Sequence, residues 1–179
     1  MDYFEGLIKT LLEHEGYWVR QSFKVNLTRE EKRDIGKPSI PRPEIDILAF
    51  KPGENQVIAF EAKSYLDSPG VKLNELVQSH KIPEGRYKLF TCDNYREIVF
   101  SRMKQDLIDL GMGTNDTEIT LGLAAGNVYQ SKSEEIRKFL NSKGWSFLSP
   151  EDIREKVTGL AEKGYENEPS IITTKILMR

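Results

Sequence analysis

Residues 44–63 read EIDILAFKPGENQVIAFEAK, two apolar runs joined by KPGEN, with Glu44 and Asp46 opening the first run and Glu61 and Lys63 closing the second. A Pro-Gly turn between two β-rich runs predicts a hairpin. Pairing about the Gly53–Glu54 bond sets Phe50 opposite Val57, Asp46 opposite Glu61 and Glu44 opposite Lys63. Two carboxylates directly opposite each other on neighbouring strands repel unless a cation relieves them. Asp46 with Glu61 offers what Mg²⁺ takes from a protein, one or two hard carboxylate ligands with the remaining positions left to water and phosphate oxygens. Lys63 lies two residues past Glu61 and so projects on the same face, where its ammonium can orient a nucleophilic water and stabilise developing negative charge. The plain alternative is a pair of surface carboxylates at a strand end, with Lys63 ion-paired to Glu44.

Side-chain alternation assigns Glu44, Asp46, Leu48, Phe50, Val57, Ala59, Glu61 and Lys63 to one face and Ile45, Ile47, Ala49, Ile58, Phe60 and Ala62 to the other. Both faces are apolar near the turn, so the hairpin belongs in the middle of a sheet covered on both sides. Ahead of it, Phe4, Leu7, Ile8, Leu11 and Leu12 recur at helical spacing over residues 2–15, with Gly16 placed to end the helix. From Tyr17 to Leu27 the period becomes two, a strand with Tyr17, Val19, Phe23, Val25 and Leu27 inward and Gln21 breaking the apolar side. TREEKRDIGKPSIPRP then reads as a long surface loop or flap. Beyond Lys63 the pattern predicts a short helix over 71–80 with Leu73, Leu76 and Val77 inward, a strand RYKLFTC at 86–92, a helix over 95–110 and a strand in TEITLGLAAG. Ser131 with Glu134 is spaced as a capping box, Ser149-Pro150 with Asp152 marks a further helix start, and WSFL between them suits a short strand. The C-terminal ENEPSIITTKILMR reads as a helix led by Asn167 and Pro169, with a strand as the alternative.

Composition narrows the possibilities. With 179 residues, 38% hydrophobic and 30% charged, the chain can bury a core, expected as one domain over 1–125 with a mostly helical elaboration over 126–179 packed on it. No run is long and apolar enough to span a bilayer, and Asp2 and Glu5 stand where a signal peptide needs positive charge, so a cytoplasmic location with no membrane partner is expected. One cysteine, Cys92, and two separated histidines, His14 and His80, leave no disulfide framework, zinc-type spacing or Cys/His pair. A metal therefore has to be held by oxygen. Although the net charge is only -2, residues 18–42 carry seven basic side chains (Arg20, Lys24, Arg29, Lys32, Arg33, Lys37, Arg42) against three acidic ones. A polyanion lying along them would be led to Asp46, with affinity but without sequence selectivity.

Through residue 92 the predicted order is helix, strand, strand, strand, helix, strand, with an acidic residue on the second strand and E-x-K on the third. This resembles the PD-(D/E)xK nuclease superfamily and its restriction-endonuclease-like α-β-β-β-α-β core, a mixed central sheet flanked by helices. The resemblance rests on Pro43, Asp46, Glu61, Ala62 and Lys63 and covers about half the chain. In the superfamily's name an aspartate follows the proline directly, whereas Glu44 follows Pro43 here and the aligned aspartate is Asp46. The resemblance implies a Mg²⁺-dependent deoxyribonuclease, with Mn²⁺ able to substitute. Its metal would lie on Asp46, Glu61 and the Ala62 carbonyl, with Lys63 as the catalytic lysine, Glu5 as a helical glutamate and Gln78 beside the substrate phosphate. Arg20, Lys24, Lys32, Arg33, Lys37 and Arg42 are the candidate DNA-binding cations, and a homodimer or a partner protein is the expected source of specificity. The alternative is a nucleic-acid-binding or assembly subunit with little activity of its own.

Overall fold

The computed structural model describes residues 2–164 and 166–178 and is an α/β protein with a five-stranded mixed sheet flanked by helices. Helix α1 (Tyr3–His14) is capped by Asp2, whose side chain accepts the Phe4 N–H at 2.9 Å, and Gly16 leaves the helix at φ +85°, a conformation glycine adopts without steric cost. Strand β1 (Trp18–Lys24) runs antiparallel to β2 (Glu44–Lys51), which pairs antiparallel with β3 (Gln56–Lys63). Phe50 stands opposite Val57 and Ile47 opposite Phe60, the register expected from the turn. β4 (Glu118–Ala125) lies parallel to β3, and β5 (Ser146–Leu148) parallel to β4, so the spatial order is β1-β2-β3-β4-β5. Strands β2 and β3 are interior and covered on both faces, as their two-sided apolar pattern requires.

One face carries α1, α7 (Pro150–Gly159) and α8 (Pro169–Leu177), where Phe4, Ile8, Leu11, Ile153 and Ile171 pack on Ile47, Ala49, Ile58, Phe60 and Ala62. The other carries α5 (Asp93–Asp109) and α6 (Ser133–Ser142), where Val99, Met103, Leu107, Ile136 and Leu140 cover Leu48, Val57, Ala59, Leu121 and Leu123. Between β3 and β4 Gly122 leaves room for Phe60; a Cβ there would lie 2.5 Å from the ring. Among the described residues no helix is long and apolar enough to cross a membrane.

Several local expectations are corrected. The flap contains a helix, α2 (Arg29–Asp34), opened by a reciprocal capping box between Thr28 and Glu31; it buries no side chain, so no apolar period announces it. The helix expected over 71–80 is only α3 (Leu73–Leu76), and Val77, expected inward, is 49% exposed. RYKLFTC is not a strand: Lys88–Thr91 form α4, a single turn leading into α5, and Leu89, Phe90 and Cys92 are buried through it. The sheet position expected for RYKLFTC belongs to β4. Ser131 does not cap α6; its backbone is left-handed at φ +55° and the cap position is Lys132, without a side-chain bond. The C-terminal helix forms, but Glu168 rather than Asn167 caps it, accepting the Ile171 N–H at 3.0 Å; Arg179 lies outside the described residues.

Alternation also fails at one place. Tyr17 and Val19 pack on the α1 side, while Phe23 and Val25 pack on the α5 side, and Ile45 joins them there although Ile47 does not. Ser22, at φ +52°, stands at this crossover in register with Asp46, between the Gln21–Ile47 and Phe23–Ile45 pairs. A left-handed residue turns the strand over, which is why the apolar series 17, 19, 23, 25 serves two cores.

Candidate active site

Beyond the Ile47–Phe60 pair the strands of the hairpin part. β3 continues against β4, with Glu61, Ala62 and Lys63 opposite Leu123, Ala124 and Ala125. On its other edge the Ala62 N–H donates to Oδ2 of Asp46 at 2.8 Å, so a carboxylate takes the place of the next backbone rung. Paired residues use their N–H and C=O on the same edge of a strand, and successive residues use opposite edges. The Lys63 carbonyl accepts the Gly126 N–H at 2.8 Å on the β4 side. The Ala62 carbonyl therefore faces the gap that opens between β2 and β3, on the same side as Asp46.

The fork brings the three expected side chains together. The Lys63 ammonium lies 2.5 Å from Oε1 of Glu61 and 3.8 Å from Oδ2 of Asp46, and the three side chains are 21%, 18% and 22% exposed respectively. Burial holds the Glu61 carboxyl above the usual carboxylate range; the Lys63 ammonium pulls the other way without cancelling it, and Asp46 adds to the rise. Burial alone would lower Lys63, but Glu61 and then Asp46 outweigh it and keep the ammonium charged. Glu5, in the first turn of α1, is likewise raised by burial and by the Asp46 carboxylate, which sets it within electrostatic reach of the fork. Glu44 does not pair with Lys63 and instead meets Lys24 at 3.8 Å. Carboxylates thus outnumber the one recessed ammonium.

A cleft of about 530 Å³ opens in front of Glu61 and Lys63, between the segment Ile40–Ile45 and the segment Gly85–Leu89, with Tyr65 and Tyr95 completing its lining. Asp46 is not part of that lining, though Lys63, 3.8 Å from it, is. Three cations that sequence reasoning did not gather meet here: Arg42 on one side, Arg86 and Lys88 on the other. The last two were hidden by reading RYKLFTC as a strand, although their spacing on a basic Arg-x-Lys was visible. The Arg86 guanidinium donates to the Tyr65 hydroxyl at 3.1 Å and stacks 5.9 Å from its ring centroid. Tyr65 is held at φ +45°, with its carbonyl accepting from Asn127 Nδ2 at 3.3 Å.

The other expected residues are dispersed. Of the candidate DNA-binding cations only Arg42 lines the cleft. Lys24 pairs with Glu44, Lys37 donates to the Pro83 carbonyl at 2.7 Å, and Arg20 stacks over Phe23 in a separate hollow with Trp18 and Met112. Lys32 and Arg33 sit on α2, whose Glu31 holds Arg102 at 2.7 Å. Gln78 follows α3 in an exposed stretch, bonded to His80 at 3.1 Å, and lines an adjoining hollow that shares Arg86 with the cleft. Among the described residues no group of three or more His, Cys, Asp or Glu side chains is arranged to hold a metal ion. Comparison of the chain with family models, curated proteins and solved structures gave no match.

Proposed function

We propose that this protein is a metal-dependent nuclease of the PD-(D/E)xK type, hydrolysing phosphodiester bonds in DNA at the fork between β2 and β3, and that its sheet is a restriction-endonuclease-like core. The observation that carries the reading is the Asp46–Ala62 bond at 2.8 Å, because it ties the second-strand aspartate to the E-x-K of the third strand with Lys63 between the two carboxylates. An apolar packing role does not call for this arrangement: two recessed carboxylates side by side are unfavourable without positive charge, and burial together with the neighbouring Asp46 raises the Glu61 carboxyl.

The donor set fits a hard divalent cation. Asp46, Glu61 and the Ala62 carbonyl would hold Mg²⁺, or Mn²⁺ in its place, all through oxygen. When bound, such an ion supplies positive charge to the phosphate oxygens and lowers the pKa of a coordinated water. Lys63 cannot be a ligand, since an ammonium has no acceptor lone pair, and its part is to donate to the attacking water or the scissile phosphate. Glu61 holds Lys63 in place through its 2.5 Å contact. Glu5 adds negative charge at the rim of the same end of the sheet, consistent with a second-rank role in holding the ion.

The alternative, a nucleic-acid-binding or assembly subunit, is favoured by one feature: Lys63 already neutralises part of the charge on Asp46 and Glu61, so the fork has a structural rationale as an ion-pair cluster. Incubation of the purified protein with supercoiled, linear, branched and single-stranded DNA in Mg²⁺ and in Mn²⁺ separates the two. Cleavage lost in Asp46→Asn protein is the expected result; no cleavage of any substrate in either ion, with DNA still bound, would favour the alternative.

A further inference from the structure

We infer that the cleft beside Glu61 and Lys63 is a binding site for an unpaired DNA strand, with Arg42, Arg86 and Lys88 as its phosphate contacts, so that the substrate is single-stranded or locally opened DNA rather than intact duplex. The inference rests on the nuclease reading above and names the form of its substrate.

Three observations support it. The first is size: 530 Å³ is the scale of a small-molecule pocket. A cube of that volume has an edge of about 8 Å, about half the breadth of duplex DNA, whose two grooves are cut roughly 8.5 and 7.5 Å into it. A nucleotide fits such a space, while a duplex would be held at its mouth. The second is depth, because Glu61 and Lys63 are only about one fifth exposed and a scissile phosphate has to enter the cleft to meet them.

The third is charge. Among the described residues Arg42, Arg86 and Lys88 have no carboxylate within salt-bridge distance; Arg29, Lys32 and Arg33 of the basic segment are unpaired too, but only the first three line the cleft, while Lys24 is paired and Lys37 is bonded to a carbonyl. Arg86 and Arg42 are exposed and Lys88 partly so; Arg86 gives one N–H to the Tyr65 hydroxyl and keeps its others for a phosphate. Tyr65, over whose ring Arg86 lies, adds an aromatic side chain to the lining. Uncompensated cations tracking a groove together with an aromatic platform are how proteins hold single strands without reading sequence.

The test is fluorescence anisotropy with the full chain in EDTA, titrated against a labelled single strand of thymidines, a blunt duplex and a duplex with one splayed end. The single strand and the splayed duplex should bind at least tenfold more tightly than the blunt duplex. Arg86→Gln combined with Lys88→Gln should weaken single-strand binding at least tenfold and reduce the slope of log K against log salt by about 1.4, from roughly 0.7 per lost phosphate contact. Arg42→Gln, at an exposed position that folding does not depend on, should cost about half that slope. Melting curves establish that the double variant is folded. Equal binding of blunt duplex and single strand, or an unchanged salt slope in both Arg42→Gln and folded double variant, would overturn the assignment. Because the measurement uses no divalent metal, a protein that prefers single strands but cleaves nothing would retain this site and lose the reaction proposed for it.

Discussion

Asp46 can be perturbed in two ways that separate its structural bond from its chemistry. Asp46→Ala removes the acceptor of the Ala62 N–H at the point where backbone pairing ends. A hydrogen bond to a charged group contributes about 1.5–3 kcal/mol. Removing the carboxylate beside Glu61 returns part of that by relieving repulsion, while Lys63 at 3.8 Å loses one of its two partners. The balance should be a loss of about 1–2 kcal/mol, or a fall in Tm of roughly 2–8 °C for a chain of this length. Asp46→Asn keeps a carbonyl oxygen to accept the Ala62 N–H and should cost less than about 1 kcal/mol. Both variants should lose cleavage, since neither offers a second anionic oxygen ligand. Thermal melting by circular dichroism and a gel cleavage assay on the same preparations give the comparison. Cleavage at the parent rate by Asp46→Asn would remove Asp46 from the reaction, and an Asp46→Ala protein that melts with the parent would show that the side-chain rung contributes nothing to the fork.

Lys63→Ala should reduce turnover by orders of magnitude yet still bind Mn²⁺, because the ammonium is no ligand; calorimetry showing metal binding lost and cleavage kept would reverse the assigned roles. Gly126→Ala should destabilise by about 1–3 kcal/mol and slow cleavage as well, since a Cβ there collides with the Ser64 carbonyl and comes within 3.1 Å of the Phe4 ring, pushing on the residue after Lys63; an unchanged Tm refutes it. Glu31→Gln should cost about 1–2 kcal/mol at neutral pH by weakening the bonds to Arg102 and to the Thr28 N–H. Burial acts to raise the Glu31 carboxyl, but its bonds to Arg102 and Thr28 outweigh that and hold it below the usual glutamate value, so the difference from the parent should be full above that value and vanish as pH falls through the lowered one, as measured by urea melts across acid pH.

The parts of the fold legible in the sequence are those where a single physical signal acts over a long enough stretch. The stripe Phe4-Ile8-Leu11 gave α1, the Pro-Gly turn set the hairpin register, and Ser149-Pro150 with Asp152 marked the start of α7, where both reciprocal cap bonds form. The candidate triad was legible because side-chain alternation and turn position together determine which residues meet. Short elements escaped: four apolar or mixed residues in RYKLFTC suit a strand and a helical turn equally, and α2 has no buried face to read. Thr28 and Glu31 did carry a capping signal, masked by the prolines that follow. The cleft cations escaped for another reason, since Arg42 meets Arg86 and Lys88 only through tertiary packing.

The side-chain rung at the fork also makes one backbone amide a reporter on the site. At the frayed end of an antiparallel ladder an N–H ordinarily exchanges with solvent through small local openings. Here the Ala62 amide, on the β2 edge of β3 past the last backbone pair, is held by Asp46 itself, so its exchange rate and its nitrogen and proton chemical shifts depend on the charge and orientation of that carboxylate. A cation drawing on Asp46 or a substrate displacing Lys63 would register at Ala62 before any change at Phe60, whose backbone is paired with Ile47. Occupancy of the fork can therefore be followed by the resonance of a single alanine, independently of whether a phosphodiester bond is cut.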